Sequence, residues 1–266
     1  MRQRMITGIL GAAVFLFFFW RGGLAFSLFI TLLSIVSFHE LLSMKRIHFL
    51  TFPALLGFLL LAFFIPGQQL LFLPSIGYGV LVYIYGCVTL AWSVIRKNAF
   101  TFLDAAFCTF SFSYLSFGFE RALAIRSGAF GTEFFVLFLL VIWATDTGAY
   151  FVGRTVGGRK LWPEISPNKT ISGSLGGIVT AVLISILYVS FVLQSLSIPV
   201  ISVALFACMV SICGQMGDLV ESAVKRYFGV KDSGNILPGH GGALDRFDSF
   251  VYAAPLAFWY IHTFWL

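Results

Sequence analysis

Long apolar runs recur along the whole chain of 266 residues and restrict what it can fold into. A run of about 20 apolar residues crosses the roughly 30 Å hydrocarbon core of a bilayer as one helix. Hydrophobic residues make up 59% of the chain and charged residues only 11%, which is far from the composition of a soluble domain. The pattern therefore predicts an all-α, polytopic integral membrane protein.

Nine runs have the length of a membrane-spanning helix, and we expect no separate soluble domain. The first run is predicted to be a retained anchor, because Trp20 and Arg21 follow it where a signal peptide would have a small-residue cleavage site. We expect five spans in an N-terminal region, 1–130, and four in a catalytic region, 131–266. The predicted spans are 5–20, 22–39, 49–66, 73–95, 100–119, 131–152, 174–194, 197–217 and 249–266.

The distribution of Lys and Arg predicts the orientation, since short cytoplasmic loops of membrane proteins carry an excess of both. With the N-terminus in the cytoplasm, 14 of the 17 Lys and Arg residues fall in cytoplasmic segments. Two polar loops, 153–173 and 218–248, then share the side where nucleotides and metal ions are available. Much of the net charge of +6 is therefore this bias, and it gives no sign of nucleic acid. Some of the cations can attract anionic head groups of the membrane lipids expected as partners. We expect the chain in the cytoplasmic (inner) membrane, with its active site facing the cytoplasm.

The segment from Ser222 to Asp248 interrupts the apolar pattern. It holds eight of the 32 Lys, Arg, Asp, Glu and His residues of the chain, together with five glycines. Each polar group costs several kcal/mol if it is left unsatisfied near lipid, so ionisable residues in such a chain indicate function. We therefore expect a functional site here.

Polar residues just before and inside this segment follow helical spacing. In a helix, side chains three and four residues apart share one face, and such a face could present oxygen ligands and a cation together. The alternative is an ion-pair network of carboxylates with Lys and Arg. The residues concerned are Asp218, Glu221, Ser222 and Lys225.

A glycine-rich turn, 238–242, precedes two further aspartates, Asp245 and Asp248. If a helix begins there, their spacing of three residues points both carboxylates the same way. Mg²⁺ binds to one or two carboxylates and completes its shell with phosphates and water. His240, inside the turn, could act as a general base, a phosphate contact or a structural donor, and the residues leave these roles open.

Two more polar groups precede this segment. Asp146 lies inside the sixth predicted span, where it is either a metal or substrate contact or a structural carboxylate paired with a basic residue of a neighbouring helix. The loop 153–173 combines glycines, hydroxyls and cations ahead of a predicted helix, a combination that suits phosphate oxygens. It lacks the GxxxxGK[ST] pattern, and it could also be an ordinary basic cytoplasmic loop.

The run S-x-x-K-R-x₄-K-D-x₅-P-G-H-G-G-x-x-D-R-x-D, from Ser222 to Asp248, resembles the signature of phosphatidate cytidylyltransferases, also called CDP-diacylglycerol synthases. The segments Asp146-Thr-Gly-Ala-Tyr150 and Ser166-Pro-Asn-Lys-Thr170 resemble the same family. The family loop reads SPKKT followed by Glu, so Asn168 and Ser172 are departures from it. The resemblance covers residues 140–250.

The resemblance implies transfer of CMP from CTP to phosphatidic acid, which gives CDP-diacylglycerol and pyrophosphate. It implies Mg²⁺ as cofactor, and a second metal ion and a homodimer stay open. Asp218 and Asp245 are the expected main metal ligands, supported by Asp248 and Asp146. The expected catalytic residues are Asp218, Asp245, Asp248, Lys225, Arg226 and His240, and the expected substrate-binding residues are Ser166, Lys169, Thr170, Ser222, Lys231, Asp232, Arg246 and Asp146.

Two other functions fit parts of the pattern. A CTP-dependent kinase of the polyprenol type would transfer the γ-phosphoryl group to a lipid alcohol, and it would need a base such as His240 or Asp248. An ion-coupled transporter would use the intramembrane carboxylates, but such proteins often have two related halves with sites near the bilayer midplane. Here the polar residues collect towards one predicted side, and no internal repeat is visible.

Overall fold

The computed structural model describes residues 2–70, 77–236, 239 and 241–266, so residues 73–76 of the fourth predicted span lie outside it. The described ranges form α-helices, one short 3₁₀ turn at Gln194–Leu196 and one antiparallel two-stranded sheet. The elements are α1 (Arg2–Arg21), α2 (Gly23–Met44), α3 (Phe52–Leu70), α4 (Tyr78–Ile95), α5 (Phe102–Ser127), α6 (Gly131–Thr155), β1 (Lys160–Trp162), β2 (Ser166–Thr170), α7 (Ile171–Val192), α8 (Val200–Tyr227) and α9 (Leu244–Phe264).

The all-α membrane fold predicted from the sequence is confirmed. Within the described residues, six helices are long and apolar enough to cross a membrane, namely α2, α4, α5, α6, α7 and α8. Shorter apolar stretches lie at Thr7–Arg21 and Phe52–Pro66. The chain is therefore an integral membrane protein built from helices.

Several helices run further than the apolar runs that predict them. α8 continues ten residues past the predicted end at 217, α9 begins at Leu244 instead of 249, and α6 continues to Thr155. Polar side chains prolong a helix where they satisfy one another along its surface, as Lys225 does by donating to Glu221 one turn earlier. Parts of the two predicted polar loops, 153–173 and 218–248, are consequently helical.

The predicted break between the first two helices is confirmed at Gly22. Gly22 and Gly23 have φ angles of 60° and 49°, in the left-handed region where residues with a Cβ are disfavoured. A glycine pair therefore allows α1 to end and α2 to begin within two residues.

The chain folds into two compact units. Unit 1 comprises residues 1–123 and 230–246, and unit 2 comprises residues 124–229 and 247–266. In unit 1, aromatic side chains fill the interior, and the buried Tyr85 donates its hydroxyl to the carbonyl of Pro53 at 2.9 Å. This bond satisfies a polar group that would otherwise be stranded among apolar side chains.

Unit 2 depends on glycines that let α6 and α7 touch along their length. A Cβ on Gly177 would lie 2.7 Å from the carbonyl oxygen of Thr145, and one on Gly173 would lie 2.7 Å from that of Ala149. Small residues of this kind allow close helix approach where no hydrophobic effect drives helices together. α8 joins them through a hydrogen bond of 2.8 Å from the Thr145 hydroxyl to that of Ser211.

Candidate active site

Three helices of unit 2 bring carboxylates together around Asp218. Asp146 of α6 and Asp248 of α9 each lie close enough to Asp218 of α8 for their charges to repel. The close approach of α8 and α9 comes from Gly217, whose Cβ would lie 2.7 Å from that of Tyr252. Asp146 and Asp248 therefore both lie within electrostatic range of Asp218.

The β-hairpin supplies the cation of this cluster. Lys169, on β2, forms an ion pair of 2.5 Å with the Asp218 carboxylate, and its charge also acts on Asp146. The two paired side chains keep 28% and 37% of their surface exposed. An ion pair this accessible is weak and easily rearranged, so Lys169 can exchange its partner for a ligand.

A buried layer lies one turn further along α8. Lys225 donates to Glu221 at 2.8 Å, and the two side chains are only 11% and 4% exposed. Asp248 is also buried and is hydrogen-bonded to Glu221. The helical face predicted from spacing is thus confirmed, with Ser222 lying 3.3 Å from Asp218 across one turn. Glu221 was absent from the expected site residues, although its spacing placed it on the same face.

The charges of this cluster fit a divalent cation bound with an anionic ligand. A hydrogen bond between the carboxyl groups of Asp248 and Glu221 needs one proton between them. Together with Asp146 and Asp218 they then carry three negative charges against two lysines, a formal excess of one in these six groups. Within the described residues, no three His, Cys, Asp or Glu side chains converge to hold a metal ion by themselves. Mg²⁺ fits such a place, because it binds through one or two carboxylates and takes its other ligands from phosphates and water.

Thr170 has a local role at the end of the hairpin. It is the N-cap of α7, where its hydroxyl accepts a hydrogen bond of 3.1 Å from the amide of Gly173. Ser172, where the resembling family has Glu, donates to the carbonyl of Gly157. The Ser172 hydroxyl therefore ties the first turn of α7 to the loop before β1.

We expect Thr170→Val to lower the free energy of unfolding by about 1 kcal/mol, the usual value of an N-cap hydroxyl. Thr170→Ser keeps the hydroxyl and should unfold like the parent chain. Thermal unfolding in detergent measures both variants. Unchanged stability of Thr170→Val together with a weakened affinity for nucleotide would show that the hydroxyl binds substrate instead.

Asp245 belongs to unit 1 and binds the loop before α9. Its Oδ2 accepts hydrogen bonds of 2.8 Å from the amides of both Ser233 and Gly242, and the Ser233 hydroxyl lies 2.9 Å away. Gly241 has a φ of 81° and leaves no room for a Cβ beside this carboxylate. Gly241 of the motif is therefore required by the Asp245 carboxylate itself.

The remaining predicted residues are distributed over both units. In unit 1, Lys231, Asp232 and Arg246 are exposed, and His240 lies outside the described residues. In unit 2, Arg226 is exposed in the last turn of α8, and Ser166 begins β2. Exposed cations of this kind are available to phosphates, which is the role expected for Lys231, Arg226 and Arg246.

Sequence analysis missed Glu40. This α2 carboxylate is 2% exposed and accepts hydrogen bonds of 2.8 Å from the amides of Ala243 and Leu244, where α9 begins. It is the only acidic residue before Asp104, inside a segment that is otherwise read as apolar. A single carboxylate in an apolar helix could have indicated that Glu40 has polar partners elsewhere in the chain, since buried charges are rarely unpaired.

Comparison with known proteins identifies the family of this chain. The model of the cytidylyltransferase family matches residues 2–264. The phosphatidate cytidylyltransferase of Bacillus subtilis (strain 168) is 43% identical over 99% of this chain and 98% of its own. Those of Staphylococcus epidermidis and Staphylococcus aureus are 43% and 40% identical, each over 96% of this chain and 97% of theirs. The chain belongs to the cytidylyltransferase family.

Proposed function

We propose that this protein transfers CMP from CTP to phosphatidic acid, giving CDP-diacylglycerol and pyrophosphate. The observation that carries the proposal is the cluster of unit 2, in which Asp218 is flanked by Asp146, Asp248 and the accessible Lys169. A nucleotidyl transfer between two anions needs charge neutralisation and positioning more than it needs a nucleophilic side chain. The relatives named phosphatidate cytidylyltransferase support the same substrates.

The reaction exchanges one phosphoanhydride bond for another. An oxygen of the phosphatidate phosphate attacks the α-phosphorus of CTP, and the bond to the oxygen that bridges to the β-phosphate breaks. Pyrophosphate takes the electron pair of that bond and leaves. Because the phosphatidate phosphate is already anionic near neutral pH, no side chain has to remove a proton from it.

The polar residues of unit 2 would have separate roles in the reaction. We propose that Asp218 and Asp248 hold Mg²⁺, which when bound neutralises phosphate charge and stabilises the pyrophosphate formed. Lys169 exchanges Asp218 for a phosphate oxygen, and Lys225 keeps its charge fixed against Glu221 in the buried layer. The roles of Asp245, Lys231, Arg226 and Arg246 as ligand and phosphate contacts rest on the resemblance alone.

We also propose the finer topology. Nine spans with a cytoplasmic N-terminus would put the hairpin and the polar end of α8 on the cytoplasmic side, in the inner membrane of a bacterium. The bias of 14 of the 17 Lys and Arg residues towards that side supports this orientation. The acyl chains of the lipid would remain between helices while the head group meets CTP at the membrane boundary. A homodimer is compatible with this arrangement.

The test of this function is a product assay with purified protein, phosphatidic acid, Mg²⁺ and CTP labelled separately at the α and γ positions. We expect the α label in lipid and the γ label in pyrophosphate. Transfer of the γ label to a lipid alcohol would identify a polyprenol-type kinase instead. If neither label enters lipid, ion flux in proteoliposomes becomes the measurement that decides for a transporter.

A further inference from the structure

Glu40 caps a helix to which it does not belong. The first amides of a helix have no partner within it, and the partial positive charge of that end attracts a carboxylate. At the start of α9 the amides of Ala243 and Leu244 both donate to Glu40, one to each oxygen, at 2.8 Å. These partners are 203 and 204 residues away along the chain, so a residue of α2 fixes where α9 begins.

Ser233 connects Glu40 to Asp245. The Ser233 hydroxyl lies 3.0 Å from Glu40 Oε2 and 2.9 Å from Asp245 Oδ2, and it carries a single proton. It can therefore donate to only one of the two carboxylates at a time. When Glu40 takes this hydrogen bond, the Asp245 oxygen keeps more of its negative charge for another ligand.

The glycines of the loop close around the same carboxylate. A Cβ on Gly234 would lie 2.7 Å from Glu40 Oε1, and a Cβ on Gly242 would lie 2.5 Å from both Glu40 oxygens. The amide of Gly242 donates to Asp245 at 2.8 Å. Gly234 and Gly242 consequently pack against Glu40, while Gly241 and Gly242 lie against Asp245.

We propose that Glu40 is a positioning residue for the reaction. Through Ser233 and the start of α9 it sets the direction and charge of the Asp245 carboxylate, and by this route it governs the binding of a divalent cation together with CTP. The inference rests on the proposed function and on a metal-ligand role of Asp245, which the family resemblance implies. Glu40 itself acts through Asp245 and the loop, without a chemical step of its own.

Glu40→Gln tests the inference with two measurements that need no turnover. Gln keeps one carbonyl oxygen but turns an amino group towards a backbone donor, so at least one bond to Ala243 or Leu244 is lost. We expect the amides of both residues to exchange hydrogen about tenfold faster, in line with one lost bond to a charged group. We also expect the affinity for Mn²⁺ in the presence of CTP, measured by electron paramagnetic resonance, to fall about tenfold.

Asp104→Asn is the matched control in the same unit. Asp104 also accepts a backbone amide at a helix start, that of Thr101 at 2.8 Å, and it pairs with Lys45 at 2.9 Å. Its loss should leave both measurements at their original values. Glu40→Gln and Ser233→Ala both interrupt the connection from Glu40 to Asp245. The double variant should therefore have the Mn²⁺ affinity of the weaker-binding single variant, without a further loss.

Unchanged Mn²⁺ affinity in Glu40→Gln would overturn the inference, even with faster amide exchange, because Glu40 would then only stabilise the fold. Unchanged amide exchange would overturn it too, since the proposed connection would not exist. If the original protein makes no CDP-lipid in the product assay, the proposed function fails while the Mn²⁺ comparison still decides the role of Glu40.

Discussion

Asp218→Asn should lower the rate of CMP transfer by a factor of about 1,000, as expected when charge stabilisation at the reacting phosphates is lost. Asp218 is the one residue of the cluster that interacts with Asp146, Asp248 and Lys169 alike. Asn has the same size as Asp but carries no charge. The side chain at position 218 would therefore no longer hold a divalent cation beside the other carboxylates. Initial rates of lipid labelling from α-labelled CTP measure the effect.

Stability should hardly change in Asp218→Asn, because a partly exposed ion pair contributes at most about 1 kcal/mol. Glu164→Gln provides the control, since Glu164 is an exposed carboxylate between the two strands of the same unit. It should retain the full rate. A folded Asp218→Asn protein with an undiminished rate would remove Asp218 from the site.

Gly177→Leu should prevent α6 and α7 from packing and should cost about 3 kcal/mol of stability or more. Even the first added atom would lie 2.7 Å from the Thr145 carbonyl oxygen and 3.3 Å from the Ala149 Cβ. A backbone carbonyl cannot move aside as a flexible side chain can, so the helices must separate. Because Asp146 directly follows Thr145, separation of the helices should displace it and lower the activity of the molecules that remain folded. The measurement is thermal unfolding in detergent, followed by activity per folded molecule.

Gly11→Ala is the corresponding control within a helix. Apart from the nearby backbone of its own helix, no atom of the described residues lies within 4 Å of a Cβ at Gly11, and its φ is not positive. Alanine should therefore be neutral or stabilise α1 by up to about 1 kcal/mol, the difference in helix propensity. If Gly177→Leu unfolds no more easily than Gly11→Ala, the close contact between α6 and α7 does not stabilise unit 2.

Local spacing predicted much of the site. The face shared by Asp218, Ser222 and Lys225 follows from the period of one helix, and the structure confirms it. The break after Arg21 follows in the same way from the conformational freedom of two glycines. Both features involve residues within one or two turns of each other, where backbone geometry alone decides the contacts.

Contacts between distant segments could not be predicted in this way. The pairing of Lys169 with Asp218 depends on how a hairpin folds against α8, which no periodicity encodes. The partners of Glu40 are about two hundred residues away, so its sequence neighbourhood shows only a buried helix. Several helices also extend beyond their predicted ends, since an apolar run marks the membrane-spanning part of a helix and not its polar continuation.

The most direct measurement of the central claim is an anomalous-difference map from crystals grown with CTP and Mn²⁺. The account predicts a metal ion bonded to a carboxylate oxygen of Asp218, with Lys169 moved from Asp218 to a phosphate oxygen. A metal ion bound elsewhere, with the ion pair of Lys169 and Asp218 intact beside the bound nucleotide, would contradict it.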